Sequence, residues 1–334
     1  MDSVELLAFA RTLIDIDSTT GREDEAGHWL TRRLGALGYD VTEQALERGC
    51  RNVLATLAAP DVVLSTHFDC VPPFFPSSVR DERLYGRGSC DAKGILAAQV
   101  AAVERLRASG EERVGLLFVA GEERGSDGAV AANNIPNRCR FLINGEPTDN
   151  RLAIATRGVL RVRLEAEGRA AHSAAPDRGV SAIDRLIDAL IRLRSLELPA
   201  DADFGTTFYT VGLIEGGVAP NVIPAHASAE VLFRTVGSAD DLLALVRALE
   251  PAVKVEEVLR VAPTRMHTVP GFETAAFPFT TDAPLLDRWG VPLLYGPGSF
   301  LVAHTDQEHV TLAELEAAVD GYERLARACL ALAG

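Results

Sequence analysis

The run Val114-Gly-Leu-Leu-Phe-Val-Ala120 carries no polar side chain at any position, and no other stretch constrains the fold as strongly. A strand with one wet face alternates polar and apolar residues, so a strand that is apolar throughout must be covered on both faces. Phe141 to Ile143 repeats the pattern, and Val53 to Leu57 and Val62 to Ser65 are further short β-rich runs. Around them lie segments with helical spacing: Val4 to Ile14, Glu23 to Leu37 with Gly38 as a stop, and Ala92 to Ala108. Helices alternating with buried strands imply an α/β fold, a mostly parallel sheet flanked by helices.

From about Gly158 the texture changes. Val159 to Glu165 alternates apolar and polar, a helix follows over Ala182 to Leu193, and strands follow near Thr207 to Leu213 and Ala227 to Phe233. A helix over Ala239 to Leu249 and a strand over Val253 to Leu259 complete a β-α-β-β-α-β order, that of a ferredoxin-like α+β unit. We therefore expect a discontinuous domain of residues 1–157 and 266–334, interrupted by an inserted domain over 158–265. The stretch from Pro270 to Gly298 is rich in Gly, Pro and aromatics, and a helix over Leu312 to Leu332 rejoins the first sheet. A chain of 334 residues is long enough for such a division.

Lys plus Arg number 33 against 47 Asp plus Glu, a net −14, and the basic residues are scattered, so nucleic acid and anionic membrane are disfavoured as partners. Asp2, Glu5, Arg11 and Asp15 interrupt the apolar positions of the N-terminus at helical spacing, which reads as a helix and not a signal peptide. No run reaches the ~18–20 apolar residues of a membrane span. The five cysteines include no CxxC pair and are odd in number. They read as buried free thiols in a reducing compartment, and a cytoplasmic location is the expectation.

Three apolar strands run straight into metal-ligand chemistry: Val62 to Thr66 into His67-Phe68-Asp69, Val114 to Ala120 into Gly121-Glu122-Glu123, and Phe141 to Asn144 into Gly145-Glu146. Parallel sheets place their sites at the carboxyl ends of strands. With a spacing of two, His67 and Asp69 share a face of an extended backbone, so the Asp69 carboxylate can orient the imidazole. Asp91 sits in Gly86-Arg87-Gly88-Ser89-Cys90-Asp91-Ala92-Lys93-Gly94. It reads either as the N-cap of the following helix or as a carboxylate that a glycine-rich loop bends between two cations. Glu122 and Glu123 diverge if extended, so one can ligate while the other acts as general base. Alone, the pair could equally be a solvated acidic loop. A thiolate ligand at Cys90 is disfavoured because its side chain points away from that of Asp91.

The set His67-x-Asp69-x-Val71-Pro72, Gly86-Arg87-Gly88-x-x-Asp91-x-Lys93-Gly94, Gly121-Glu122-Glu123, Glu146-Pro147 and Ala303-His304-x-x-x-Glu308 resembles the M20 metallopeptidases along nearly the whole chain. The resemblance implies two zinc ions per chain, with cobalt or manganese as substitutes. It implies that Asp91 bridges them, that His67 and Glu146 complete one site, and that Glu123 and His304 complete the other. Glu122 would be the general base and Asp69 the orienting partner of His67. The inserted unit resembles the family's lid, through which relatives form a homodimer. By the same resemblance His172 would stabilise an oxyanion, Arg234 would grip a substrate carboxylate, and Asn221 would reach the site. Arg157 and the Gly298-Ser299 pair join them as expected substrate-binding positions.

Glu at position 146 resembles the family's deacylases and carboxypeptidases more than its dipeptidases. The expected substrate is a small N-acyl amino acid, acetylornithine first, with N-acetyl-lysine or N-acetyl-citrulline beside it. A dipeptidase or carboxypeptidase is the alternative. A catalytically silent metal-binding module would have lost a ligand or the base, and every position is present. A single-zinc aminopeptidase would leave the lid motifs without purpose.

Overall fold

A computed structural model describes residues 1–202 and 204–334. In chain order the first principal elements are α1 (Ser3–Ile14), α2 (Asp24–Ala36), β1 (Asp40–Ala45), β2 (Arg51–Thr56), β3 (Val62–His67), α3 (Lys93–Ala108), β4 (Val114–Val119) and β5 (Phe141–Asn144). There follow β6 (Gly158–Glu167), α4 (Ala182–Arg194), β7 (Phe208–Gly216), β8 (His226–Thr235), α5 (Ala239–Arg247), β9 (Lys254–Val261), β10 (Val291–Leu294) and α6 (Leu312–Ala333). The chain divides into two compact units. The first comprises Met1–Ile154, Met266–Ala275 and Thr281–Gly334, the second Ala155–Arg265 and Ala276–Thr280.

The first unit is an α/β layer structure around a six-stranded sheet of order β1-β2-β4-β3-β5-β10. β3 pairs in parallel with both β4 and β5, and β10 runs parallel to β5. β1 and β2 join the edge antiparallel. Every residue of β3, β4 and β5 is buried, as apolar strands covered on both faces must be. Every residue of α3 from Lys93 to Val103 is buried as well. Its alanine-rich sequence favours the helix and keeps it slim, so that α1 and α6 pack against it. Reciprocal capping boxes start α1, between Asp2 and Glu5, and α6, between Thr311 and Glu314. β10 lies within the Gly- and Pro-rich stretch that carried no strand signal; pairing with β5 supplies what its four residues lack in local propensity.

The second unit is an antiparallel sheet of order β7-β8-β6-β9, the strand order of a ferredoxin-like unit. Leu160, Val162, Leu164 and Ala166 of β6 face the apolar stripes of α4 and α5, where Leu186, Leu193, Leu242 and Val246 are buried. Arg161, Arg163, Glu165 and Glu167 take the other face, the period-two pattern seen in the sequence.

Gly321 lies inside α6, where an added Cβ would meet the Tyr295 hydroxyl at 2.1 Å and two of its ring carbons at 2.5 Å and 2.7 Å. Tyr295 is itself pinned edge-on against Phe272 and Tyr322. Gly→Ala in a helix interior gains about 1 kcal/mol, whereas overpacking a core costs about 1–3 kcal/mol. Gly321→Ala is therefore expected to lower stability in urea denaturation, and Gly321→Ala with Tyr295→Leu to recover much of the loss. A gain from Gly321→Ala alone would contradict this packing.

Candidate metal centre

β4, β3 and β5 are consecutive in the sheet and parallel, so their carboxyl ends open on one edge. His67 ends β3, Gly121 to Glu123 follow β4, and Glu146 follows β5. The glycine-rich loop before α3 brings in Asp91, and the segment before α6 brings in His304. Ligand atoms of His67, Asp91 and Glu146 lie within 4.8 Å of one another, as do those of Asp91, Glu123 and His304. Asp91 belongs to both groups. Its Oδ1 is 2.9 Å from His67 Nε2 and its Oδ2 is 3.2 Å from His304 Nε2.

Every member but Glu146 is held by identifiable contacts. His67 Nδ1 donates to the Asp69 backbone carbonyl at 3.0 Å, which fixes the proton there and leaves Nε2 turned to Asp91. The Asp69 carboxylate stands near the same nitrogen, Oδ1 at 3.6 Å, and also accepts the Glu122 and Glu123 N–H groups, each at 3.1 Å. Those two glutamates occupy a 3-10 turn, Glu122–Arg124, and not an extended strand end. Adjacent side chains there stand about a third of a turn apart, so they still diverge. Glu123 Oε1 meets His304 Nε2 at 2.8 Å. His304 adopts φ 64, a left-handed conformation that costs a non-glycine residue about 1 kcal/mol or more and is characteristic of functional sites. Asp91 is not a helix cap: α3 begins from Ala92 with no side-chain cap.

The electrostatics suit cations. Burial opposes the charge of His67, yet hydrogen bonding to Asp69 and Asp91 and the surrounding carboxylates hold it well above its usual value. Hydrogen bonds to Asp91 and Glu123 push His304 up to about 10. Burial pushes Glu122, Glu123 and Glu146 upward. Glu146 Oε1 is buried with no hydrogen-bond partner among the described residues, the state expected of an oxygen reserved for a cation. Two imidazoles and three carboxylates, arranged as two groups around a common Asp, fit a pair of divalent ions with nitrogen and oxygen preference. Cys90 does not join them: burial raises its thiol far above the usual range, and Sγ donates to the Ser299 carbonyl.

Gly298 and Ser299 pack beneath the Asp91 loop. A Cβ on Gly298, at φ +78, would meet Cys90 Sγ at 2.6 Å. The second unit carries the remaining expected site residues. His172 pairs with Val222 across a short ladder, and the Ser173 N–H donates to the Asn221 carbonyl, so His172 and Asn221 are neighbours. His172 Nδ1 accepts the Ala174 N–H at 3.1 Å, which places the proton of the neutral ring on Nε2. Arg157 donates to the carbonyls of Phe204 and Thr206 and stacks over Phe208. The Arg234 side chain forms no hydrogen bond or ion pair among the described residues; burial lowers its pKa.

Sequence reasoning missed Asp282. It is 1% exposed, neither carboxylate oxygen completes a hydrogen bond, and burial pushes its carboxyl up to about 6, although the Ser126 side chain favours the charged form. Its charge is felt by Glu122 and Glu146. The only signal was a Thr-Asp pair in the stretch rich in Gly, Pro and aromatics. An acid whose folded pKa is raised favours the native state while protonated, and that advantage is lost as pH climbs from about 4 to about 6. In metal-free protein, Asp282→Asn is expected to raise the melting temperature over the parent clearly at pH 7 and little at pH 4. The same offset at both pH values would contradict this burial.

Residues 63–328 match the family model described as peptidase family M20/M25/M40. A probable carboxypeptidase of Aspergillus clavatus is 37% identical over 97% of this chain and 82% of its own length. A Staphylococcus aureus tripeptidase structure superposes with a TM-score of 0.81 at 20% identity, covering 98% of this chain and 99% of that one. A Bacillus subtilis dinuclear metal-binding M20 peptidase superposes with a TM-score of 0.74 at 14% identity, covering 97% of each chain. At those identities the two structures speak for the fold alone, and the family rests on the sequence matches. The chain belongs to peptidase family M20/M25/M40 and is a metallopeptidase-type hydrolase.

Proposed function

We propose that this chain is a dimetal carboxypeptidase, removing a C-terminal residue from a short or N-acylated peptide. The observation that carries the dimetal reading is the division of the Asp91 carboxylate, one oxygen toward His67 and the other toward His304. His67, Asp91 and Glu146 would hold one ion, and Asp91, Glu123 and His304 the other, zinc being the first choice for such donors. Bound divalent cations supply the positive charge that acidifies water and polarises a carbonyl. Glu122 takes the proton of the attacking water and returns it to the departing amine. Asp69 holds the Glu122 backbone in place for that transfer. His172, its Nδ1 already accepting a backbone N–H, offers Nε2–H to the developing oxyanion.

Arg234 supports a substrate with a free carboxylate, since a half-buried guanidinium without an anionic partner in its own unit is suited to accept one. The carboxypeptidase name of the Aspergillus relative points the same way and displaces acetylornithine from first place. The second unit then serves as a lid, and the exposed Leu213 and Ile214 of its edge strand β7 suit a homodimer contact. No helix among the described residues is long and apolar enough to cross a membrane.

Glu122→Gln is expected to retain two metals per chain by elemental analysis while kcat falls by about 10²–10⁴-fold. Near-normal turnover would remove Glu122 as the base. An N-acyl dipeptide with a free C-terminus should be cut faster than its C-terminal amide, and both faster than, or to the exclusion of, N-acetylornithine. Arg234→Ala should erase the difference between acid and amide, costing the acid about 10–100-fold in kcat/KM. Equal turnover of acid and amide by the unaltered protein would refute the carboxypeptidase assignment.

A further inference from the structure

We propose that Glu308 is a positioning residue that sets the Asp91 carboxylate between the two metal-capable groups; the inference rests on the dimetal reading above. Glu308 is fully buried, 0% exposed, and its carboxylate bonds to Arg87 and to backbone N–H groups. Its Oε1 accepts three backbone N–H groups of the Asp91 loop: Gly88 at 2.9 Å, Cys90 at 3.2 Å and Asp91 itself at 3.1 Å. Its Oε2 takes Arg87 Nη1 at 2.5 Å, and its own carbonyl accepts the Gly86 N–H at 3.4 Å. The whole segment from Gly86 to Asp91 is thereby wound around one carboxylate, an anion held in a concave array of N–H groups.

The other side of the loop is closed as well. Gly88, at φ +89, lies so near Cys70 Sγ and Lys93 that a Cβ would stand 2.7 Å and 3.0 Å from them. Its carbonyl receives the Lys93 and Gly94 N–H groups at 2.8 Å and 3.2 Å. Arg87 is 2% exposed, donates through Nε to the Pro73 carbonyl and lies over the Phe75 ring. Glu308 is also four residues beyond His304. One short segment thus delivers His304 to the metal centre and anchors the loop that delivers Asp91, so a single carboxylate registers the two against each other. The 3.2 Å approach of Asp91 Oδ2 to His304 Nε2 depends on that register.

A role confined to stability would be met by any buried pair that fills the space, and would leave metal affinity alone. Glu308→Asp keeps the charge opposite Arg87 but withdraws the carboxylate by one methylene from the three N–H groups; Glu308→Gln keeps the length and removes the charge. Cobalt(II) is titrated into metal-free parent and both variants, following the visible absorption and the bound stoichiometry, with circular dichroism of each metal-free protein as the folding control. The parent is expected to take up two ions. Each folded variant is expected to bind cobalt about 10–100-fold more weakly, the usual cost of losing an outer partner of a metal ligand, and to lose the absorption of the second ion first. If Glu308→Gln does not fold, Glu308→Asp decides. A folded variant that binds both ions like the parent overturns the proposal and leaves the metal centre standing. Failure of both variants to fold assigns Glu308 to the framework and also overturns it. A parent that takes up no cobalt sinks the metal centre and this inference together.

Discussion

The Asp91 carboxylate, caught between two imidazoles, is the contact on which the rest of the site depends. A carboxylate removed from water is costly unless it is paired and hydrogen-bonded. Here burial opposes the charge, and the hydrogen bonds from His304 and His67 overcome it, so that Asp91 stays ionised well below the usual carboxylate range. The same burial pushes Glu122, Glu123 and Glu146 in the opposite direction. Crowding so many acids at one sheet edge is tolerable only where positive charge is supplied, by protonated imidazoles in the bare chain or by divalent cations. Binding cations in place of those protons releases protons.

The supporting shell follows from the same requirement. Two buried carboxylates beside the ligands face backbone N–H groups: Asp69 those of Glu122 and Glu123, Glu308 those of Gly88, Cys90 and Asp91. Backbone amides are fixed by the path of the chain, so they hold an anion without the rotamer entropy of a lysine or arginine partner. The exception, Arg87, is buried and clamped on three sides by Glu308, Pro73 and Phe75. Rigid loops around a soft pair of imidazoles are what metal sites ask of their surroundings.

Much of this architecture was legible because it is written in period and composition. Fully apolar β3, β4 and β5 announce strands covered on both faces, and the alternation of β6 announces a sheet with one exposed face. The spacing of acids and imidazoles after three strand ends pointed to the edge on which they meet. Other features carried no local signal. β10 is a strand because β5 pairs with it. Asp282 acquires its character from burial among other acids, and the N–H partners of the Asp69 carboxylate come from a turn 53 and 54 residues away.

The sequence by itself determined the two-part α/β and ferredoxin-like plan, the family, and the residue types available for metal and base, since these depend on patterning and motif order that survive in one dimension. Only the tertiary structure decided which oxygen does which task. It turned Asp69 toward the backbone of the Glu122 loop, divided the Asp91 carboxylate between two imidazoles, and set Glu308 beneath the loop that carries Asp91. Hydrogen bonds between residues as many as 221 positions apart are set by how strand ends converge, and no local pattern records that convergence.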